Sequence, residues 1–482
     1  MAARRETGKS VAHDMTADRA RKNLPFATIL GVIVLARLAF AALVYARPEL
    51  AIANDTDRYV PIANGILSGR AYQWNTERPG ELLNTIGYPL FLAGVFATLG
   101  DDPGDVALAQ LLCTGALACS TFFVLSRRLN KAAGFAAGLL LALDPLTILW
   151  SMTMLTETVF AVALGASALL LVSWAYSRRE TLVVWAGLAM GLACLVKPFA
   201  MLIAAAWLIA VAFFPRDQDG ASGLRFRIRV RDGLLFVAPV VLLLAPWFVR
   251  NGLLWNCATL SSVDRVTMRD YMAGKVLAEA EHIDLADAQS RLQEADPGLC
   301  PGETSKYLGI LASNPTIYLR LHVAGTIPVL IGTNFDRWLQ YLGREYQLPD
   351  LWRPYMDGGW RRLVSVLVTQ LRAFPAEVGL MIALTVFQLL LYVLAVSGVI
   401  ESYRLPTAAT KWISAVLVVA ILILVLTPGQ GGHERFRVPV QPLLAMLVAL
   451  GVAEKTRGST AKLSPSAERT GSRRPIRNNP VH

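Results

Sequence analysis

Seven charged side chains, an imidazole and a phenol stand at spacings that could do chemistry. Asp55 and Asp57 occur in Asn54-Asp55-Thr56-Asp57-Arg58-Tyr59, shortly after the first long apolar run. A carboxylate there can take a proton from a hydroxyl or help hold a cation. The alternative is that Asp55 or Asp57 caps the helix that follows. Asp144 lies in Leu143-Asp144-Pro145 and Glu157 in Leu155-Thr156-Glu157-Thr158, both beside apolar runs. Lys197 precedes Pro198 in the middle of a 34-residue apolar stretch, and His433, Arg435 and Arg437 precede the last one. Charge beside hydrocarbon is costly, so such groups are paired or functional. The competing readings are mutual structural salt bridges, snorkelling for Arg435 and Arg437, and a hydrogen-bonding role for His433. The residue pattern leaves a divalent metal near the carboxylates open, and no cofactor is required by it.

These residues need a scaffold, and the composition says which. The 482 residues are 54% hydrophobic and 17% charged, with a mean hydropathy of +0.46. A soluble chain carries about a quarter charged residues, so the expected class is an all-α polytopic membrane protein. Apolar runs predict about ten spans near 26–46, 105–124, 132–149, 156–176, 181–196, 198–214, 233–249, 376–400, 412–428 and 438–453. The stretch 181–214 is too long for one crossing and breaks at Lys197-Pro198, so it reads as a hairpin. The run Tyr88–Leu99 is too short to cross and suits an interfacial helix.

The net charge of +11 supplies the orientation. Segments 1–25, 126–131, 177–180, 215–232, 401–411 and 454–482 together hold 25 Lys/Arg against 10 Asp/Glu. The remainder holds 21 basic and 25 acidic residues. By the positive-inside rule the first group faces the cytoplasm, with both termini. The basic tails lack interleaved aromatics, so nucleic acid is not an expected partner. The expected domains are a basic tail at 1–25, a membrane module at 26–250 with a first external loop at 47–104, a small external domain at 251–375, closing helices at 376–453 and a basic tail at 454–482. In that topology all the candidate residues lie on the external face. Cys257 and Cys300 fall in the external domain, where a disulfide is chemically permitted and two buried free thiols are the alternative.

Six motifs in this order resemble the GT-C superfamily of polytopic glycosyltransferases. The likeness is to the branch holding protein O-mannosyltransferases, the lipid A aminoarabinose transferase and lipopolysaccharide galacturonosyltransferases. They are Asn54-Asp55 through Tyr59, Gly87-Tyr88-Pro89, Leu143-Asp144-Pro145 with Thr156-Glu157, Leu195-Val196-Lys197-Pro198, Pro246-Trp247 with Arg250-Asn251, and His433-Glu434-Arg435-Phe436-Arg437-Val438-Pro439. Two departures are mild: Lys197 stands where the family more often shows Arg, and Phe436 replaces Tyr. The segment 78–86 separates the usual Arg-Pro element from Tyr88-Pro89, so no role is assigned to Glu77, Arg78 or Glu81. The resemblance implies an inverting enzyme of a bacterial-type plasma membrane. It would move a hexose or pentose from a polyprenyl-phosphate carrier to a lipid, glycan or protein hydroxyl on the external face. Asp55 would be the general base. Lys197, Arg435 and Arg437 would meet the phosphate, while Asp57, Tyr59, Asp144, Glu157 and His433 would line the substrate site. The rival reading is a transporter or flippase in which the same charges only bind a lipid-linked sugar.

Overall fold

The computed structural model describes residues 31, 33–73, 80–216, 225–226, 229–296, 298, 300, 304–344, 352–404 and 407–462. The tail at 1–25, Glu77 and Arg78, and most of the C-terminal tail lie outside the described residues. Among the described residues the chain is helical, apart from one two-residue antiparallel pairing of Pro215–Arg216 with Arg225–Phe226.

We number the helices α1 Ile33–Ala46, α2 Thr56–Leu67, α3 Gly80–Leu83, α4 Gly87–Thr98, α5 Pro103–Arg128, α6 Lys131–Leu143, α7 Pro145–Ser151, α8 Thr156–Ser177, α9 Glu180–Val196, α10 Ala200–Ala212 and α11 Val230–Trp255. There follow α12 Val263–Val266, α13 Gly274–Glu281, α14 Leu285–Ala295, α15 Thr304–Ser313, α16 Pro315–Ile331, α17 Phe335–Tyr341, α18 Trp352–Ala373, α19 Pro375–Arg404, α20 Ala408–Leu426 and α21 Gln441–Lys462.

Local chemistry sets the boundaries. Asp102 caps α5 through the Gly104 amide at 2.7 Å, with Pro103 preorganised at the first position. Asn130 caps α6 through the Ala133 amide at 2.8 Å. α9 stops at Lys197 because Pro198 has no amide hydrogen to continue it.

Among the described residues, six helices are long and apolar enough to cross a membrane, or eight if each bent pair is one span. This count does not confirm the expected ten, of which the first, 26–46, lies partly outside the described residues. Hydropathy counts apolar residues, whereas crossing needs unbroken length. α10 has 13 residues, about 20 Å of helix at ~1.5 Å per residue against a hydrocarbon core of about 30 Å. The expected span at 132–149 is broken between α6 and α7, which bend by 47° at Asp144. A second bent pair, α16 with α17, turns by 43° inside the segment expected to form an external domain. The expected short helix at Tyr88–Leu99 is α4.

Both breaks are held by a buried arginine. Arg37 of α1 is 1% exposed and donates to the Ala142 carbonyl, at the end of α6, at 3.1 Å. Arg437 is 2% exposed and donates to the carbonyls of Val329, Leu330 and Gly332 at 2.8, 2.6 and 2.7 Å, at the end of α16. The last carbonyls of a helix have no intrahelical partner and carry the negative end of its dipole, so a guanidinium compensates both deficits.

The core runs through α4 to α11 and α19 to α21, with α21 between α6 and α19. α9 crosses α11 where Gly187 lies against the Phe236 carbonyl, and α19 crosses α21 where Gly398 lies against the Leu447 carbonyl. Small residues let backbones approach where the solvent is lipid and dispersion holds helices together. Cys257 and Cys300 form a disulfide with a Cα separation of 5.5 Å, tying the end of α11 to the segment after α14.

The crossing makes a testable demand. A Cβ at position 398 collides with the Leu447 backbone, so Gly398→Val should destabilise the protein by about 1–3 kcal/mol, the usual cost of overpacking. Thermal unfolding in detergent measures it, and an unchanged midpoint would contradict this packing.

Candidate active site

Three polar side chains bring the site elements together before any charge is considered. Thr56, first residue of α2, donates its hydroxyl to the Met154 carbonyl at 3.1 Å and accepts the Ala53 amide at 3.0 Å. That fixes the start of α2 against the turn preceding α8. The turn itself is held by Gln110 of α5, which donates to the carbonyls of Ser151 and Thr153 at 3.0 and 2.7 Å. Thr85 donates to the Val196 carbonyl at 3.1 Å, joining the loop before α4 to the residue preceding Lys197. All three side chains are buried, where an unmet backbone carbonyl would be expensive.

With these elements fixed, four charges form a chain. Arg435 Nη1 lies 3.0 Å from Asp55 Oδ2, and Arg435 Nε lies 3.6 Å from Glu157 Oε1. Lys197 Nζ donates to the same Glu157 oxygen at 2.9 Å. Arg58 approaches the other oxygen of Asp55 at 3.6 Å. The ring of Phe436 lies beneath both cations, 5.0 Å from Lys197 Nζ and 5.2 Å from the Arg435 guanidinium carbon. The aromatic face at Phe436 therefore attracts the cations without using a hydrogen bond.

Exposure grades along the chain. The Asp55 and Arg435 side chains are 27% and 25% exposed, Lys197 13% and Glu157 3%. Asp55 is thus the carboxylate a solute can reach, and Glu157 is the buried counterion of two cations. Asp55 is also the N-cap of α2, but its side chain makes no capping hydrogen bond. The carboxylate is turned toward Arg435. Burial pushes the Lys197 ammonium below its ordinary pKa, opposed by Glu157.

The other candidates are placed as follows. Tyr59 packs edge-on against Tyr88 with ring centroids 5.1 Å apart, and burial raises its phenol well above the ordinary range. His433 accepts the Arg435 amide through Nδ1 at 3.3 Å, and burial with the neighbouring Arg435 keeps its pKa below the usual imidazole value. Asp57 is exposed in the first turn of α2 and has no ion-pair partner among the described residues. Asp144 is 2% exposed and caps α7, accepting the Thr147 amide at 2.7 Å and the Thr147 hydroxyl. Arg437 grips the end of α16. Neither Asp144 nor Arg437 is in the four-charge chain.

One pairing has no counterpart in the sequence reading. Arg250 donates to Glu81 at 2.8 Å with both side chains 5% exposed, and also to the Gln73 carbonyl at 3.2 Å. It joins the first long loop to the end of α11. Glu81 lies in the one segment whose motif register is unclear, so no spacing marked it.

No three His, Cys, Asp or Glu side chains converge as a metal cage among the described residues. Both Asp55 oxygens already face guanidinium groups, so the donor set does not fit a divalent cation as placed.

The family model described as dolichyl-phosphate-mannose-protein mannosyltransferase matches residues 84–247, which include Asp144, Glu157 and Lys197. The matched span covers α4 to α10 and most of α11, while Asp55 and Arg435 lie outside it. No curated protein matches the chain. Among solved structures, the oligosaccharyltransferase AglB from Archaeoglobus fulgidus, in complex with an inhibitory peptide and a dolichol-phosphate, is 13% identical with a TM-score of 0.46. It covers 93% of this chain and 52% of its own, so the chain spans about half its length. ArnT from Cupriavidus metallidurans, bound to undecaprenyl phosphate, is 14% identical with a TM-score of 0.34, covering 92% of this chain and 79% of its own. Scores this low carry no residue correspondences.

The exposure gradient separates two substitutions. Glu157→Gln leaves two cations without their buried counterion and should cost about 3–5 kcal/mol of stability. Asp55→Asn, at a partly exposed pair, should cost no more than about 1 kcal/mol. Unfolding of the two variants side by side checks the order, and equal losses would contradict it.

Proposed function

We propose that the protein transfers a sugar from a polyprenyl-phosphate carrier to an acceptor hydroxyl at the extracytoplasmic membrane surface, with inversion. The observation that carries this reading is the Asp55–Arg435–Glu157–Lys197 chain. It sets one accessible carboxylate beside two cations that a buried carboxylate holds in place.

The chemistry follows from that placement. Asp55 takes the proton of the acceptor hydroxyl as its oxygen bonds to the anomeric carbon. The bond from that carbon to the phosphate oxygen breaks, and the electron pair leaves with the phosphate. Charge grows on the phosphate in the transition state, where preorganised cations are most effective. Lys197 and Arg435 supply them, and Arg435 leaves Asp55 when the phosphate arrives. Glu157 positions both cations and Phe436 supports them from below. Tyr59 and His433 border the site, and exposed Asp57 lies two residues beyond the base. Asp144 and Arg437 act indirectly, by setting the ends of α7 and α16. A lipid-phosphate leaving group remains in the membrane, which suits cations at the ends of apolar helices. The side assignment rests on the basic excess of 126–131, 177–180, 215–232 and 401–411.

Asp55→Asn should lower transfer from a polyprenyl-phospho-sugar by about 10²–10⁴-fold, the usual range for a positioned base. Purified protein tests it by release of polyprenyl phosphate, and unchanged release at equal expression would rule Asp55 out. A cysteine at position 222 should resist membrane-impermeant thiol reagents in intact cells and react after permeabilisation. Labelling from outside would invert the topology.

A further inference from the structure

Just upstream of Arg435 lies a group the reaction above does not use. The turn Gly429–Gly431 is seated on α16, where Gly325 meets the Gly429 carbonyl and Gly432 meets the Gly325 carbonyl. Neither contact leaves room for a Cβ. Gly429 has φ +51°, in the left-handed region, and a side chain there would press on His322 Nδ1 and Met272. Lys275 of α13 donates to the Gln430 carbonyl at 3.0 Å. The backbone of this turn is therefore fixed from three directions.

The side chain it presents is unsatisfied. Gln430 is 7% exposed, and neither its Oε1 nor its Nε2 has a hydrogen-bond partner. His322 Nδ1, beside the same turn, is also buried without a partner. Leaving a buried amide unpaired is among the more expensive defects a folded protein can carry. A rigid turn that buries one without meeting it is a place where a partner from outside the chain, a solute or an ordered water, can bind.

The amide defines the chemistry of that partner. It offers one acceptor and one two-hydrogen donor. A phosphate or carboxylate would satisfy only the donor, and an ammonium only the acceptor. A hydroxyl can satisfy either, and adjacent ring hydroxyls can satisfy both. We propose that Gln430 is a sugar-recognition residue whose carboxamide bonds hydroxyls of the saccharide on the lipid phosphate. This rests on the lipid-linked donor proposed above. The sugar is bonded directly to the phosphate that Arg435 would meet, and Gln430 precedes Arg435 by five residues in one short segment.

Equilibrium binding of undecaprenyl phosphate and of a panel of undecaprenyl-phospho-hexoses and -pentoses tests this in the full-length protein. In the wild type, one or more sugars should add affinity over the sugarless lipid. Gln430→Leu keeps the volume and removes the polar atoms, so its unfolding temperature should be unchanged or higher. It should bind undecaprenyl phosphate as the wild type does and lose roughly ten-fold of the sugar's added affinity, the order of one or two neutral hydrogen bonds. Gln430→Glu retains the acceptor alone and should lose part of it, which keeps the test usable should the leucine variant misfold. A sugar-dependent gain that survives both substitutions would overturn the assignment, and would mean that Gln430 is met by ordered water. A wild type that gains nothing from any sugar would overturn the lipid-linked-donor reading itself.

Discussion

Charge placed beside hydrocarbon has to be matched, and the site is organised around that requirement. Glu157 is almost fully buried, and Lys197 and Arg435, with the Thr156 hydroxyl, make that tolerable. Because Lys197 follows α9 and Arg435 precedes α21, pairing with Glu157 at the start of α8 fixes three helix ends relative to one another. Arg435 then reaches a second carboxylate, Asp55, at the start of α2. The constraint that stabilises the cluster also sets an accessible carboxylate next to two preorganised cations. Removing Glu157 would therefore disturb the fold and the site together, while removing Asp55 would disturb only the site.

The same physics recurs one layer deeper. Two apolar helix pairs are broken, and each break leaves helix-end carbonyls that would otherwise be unmet. Arg37 and Arg437 answer those carbonyls from other helices. Arg437 lies two residues from Arg435, so the grip on the end of α16 also fixes the segment that carries the site cation. Asp144, capping α7 at the other break, belongs with this framework by its contacts. Broken helices here are a means of bringing helix ends, with their polar groups, to one place.

Much of this was legible in the sequence for a definable reason. Asp55, Glu157, Lys197 and Arg435 stood out because charge next to long apolar runs is rare, and the structure brings those four together. The helices α5, α8, α11, α19, α20 and α21 were legible as apolar runs, and the break at Lys197-Pro198 as a proline. Three features were not. Helix breaks shorten apolar runs without changing their hydropathy, so hydropathy alone does not locate them. Asp144 had the same sequence signature as Glu157, and only geometry distinguishes a carboxylate spent on capping from one spent on cations. Glu81 and Gln430 carried no signal, since their importance lies in a partner found, or lacking, far along the chain.

In the proposed reaction Arg435 and Lys197 hold a lipid phosphate whose arrival frees Asp55. A structure determined with undecaprenyl phosphate bound tests it most directly. The expected result is a phosphate at hydrogen-bond distance, about 2.7–2.9 Å, from both Lys197 and Arg435, with the Arg435–Asp55 contact opened. A phosphate bound elsewhere, with the contact at 3.0 Å intact, would contradict it.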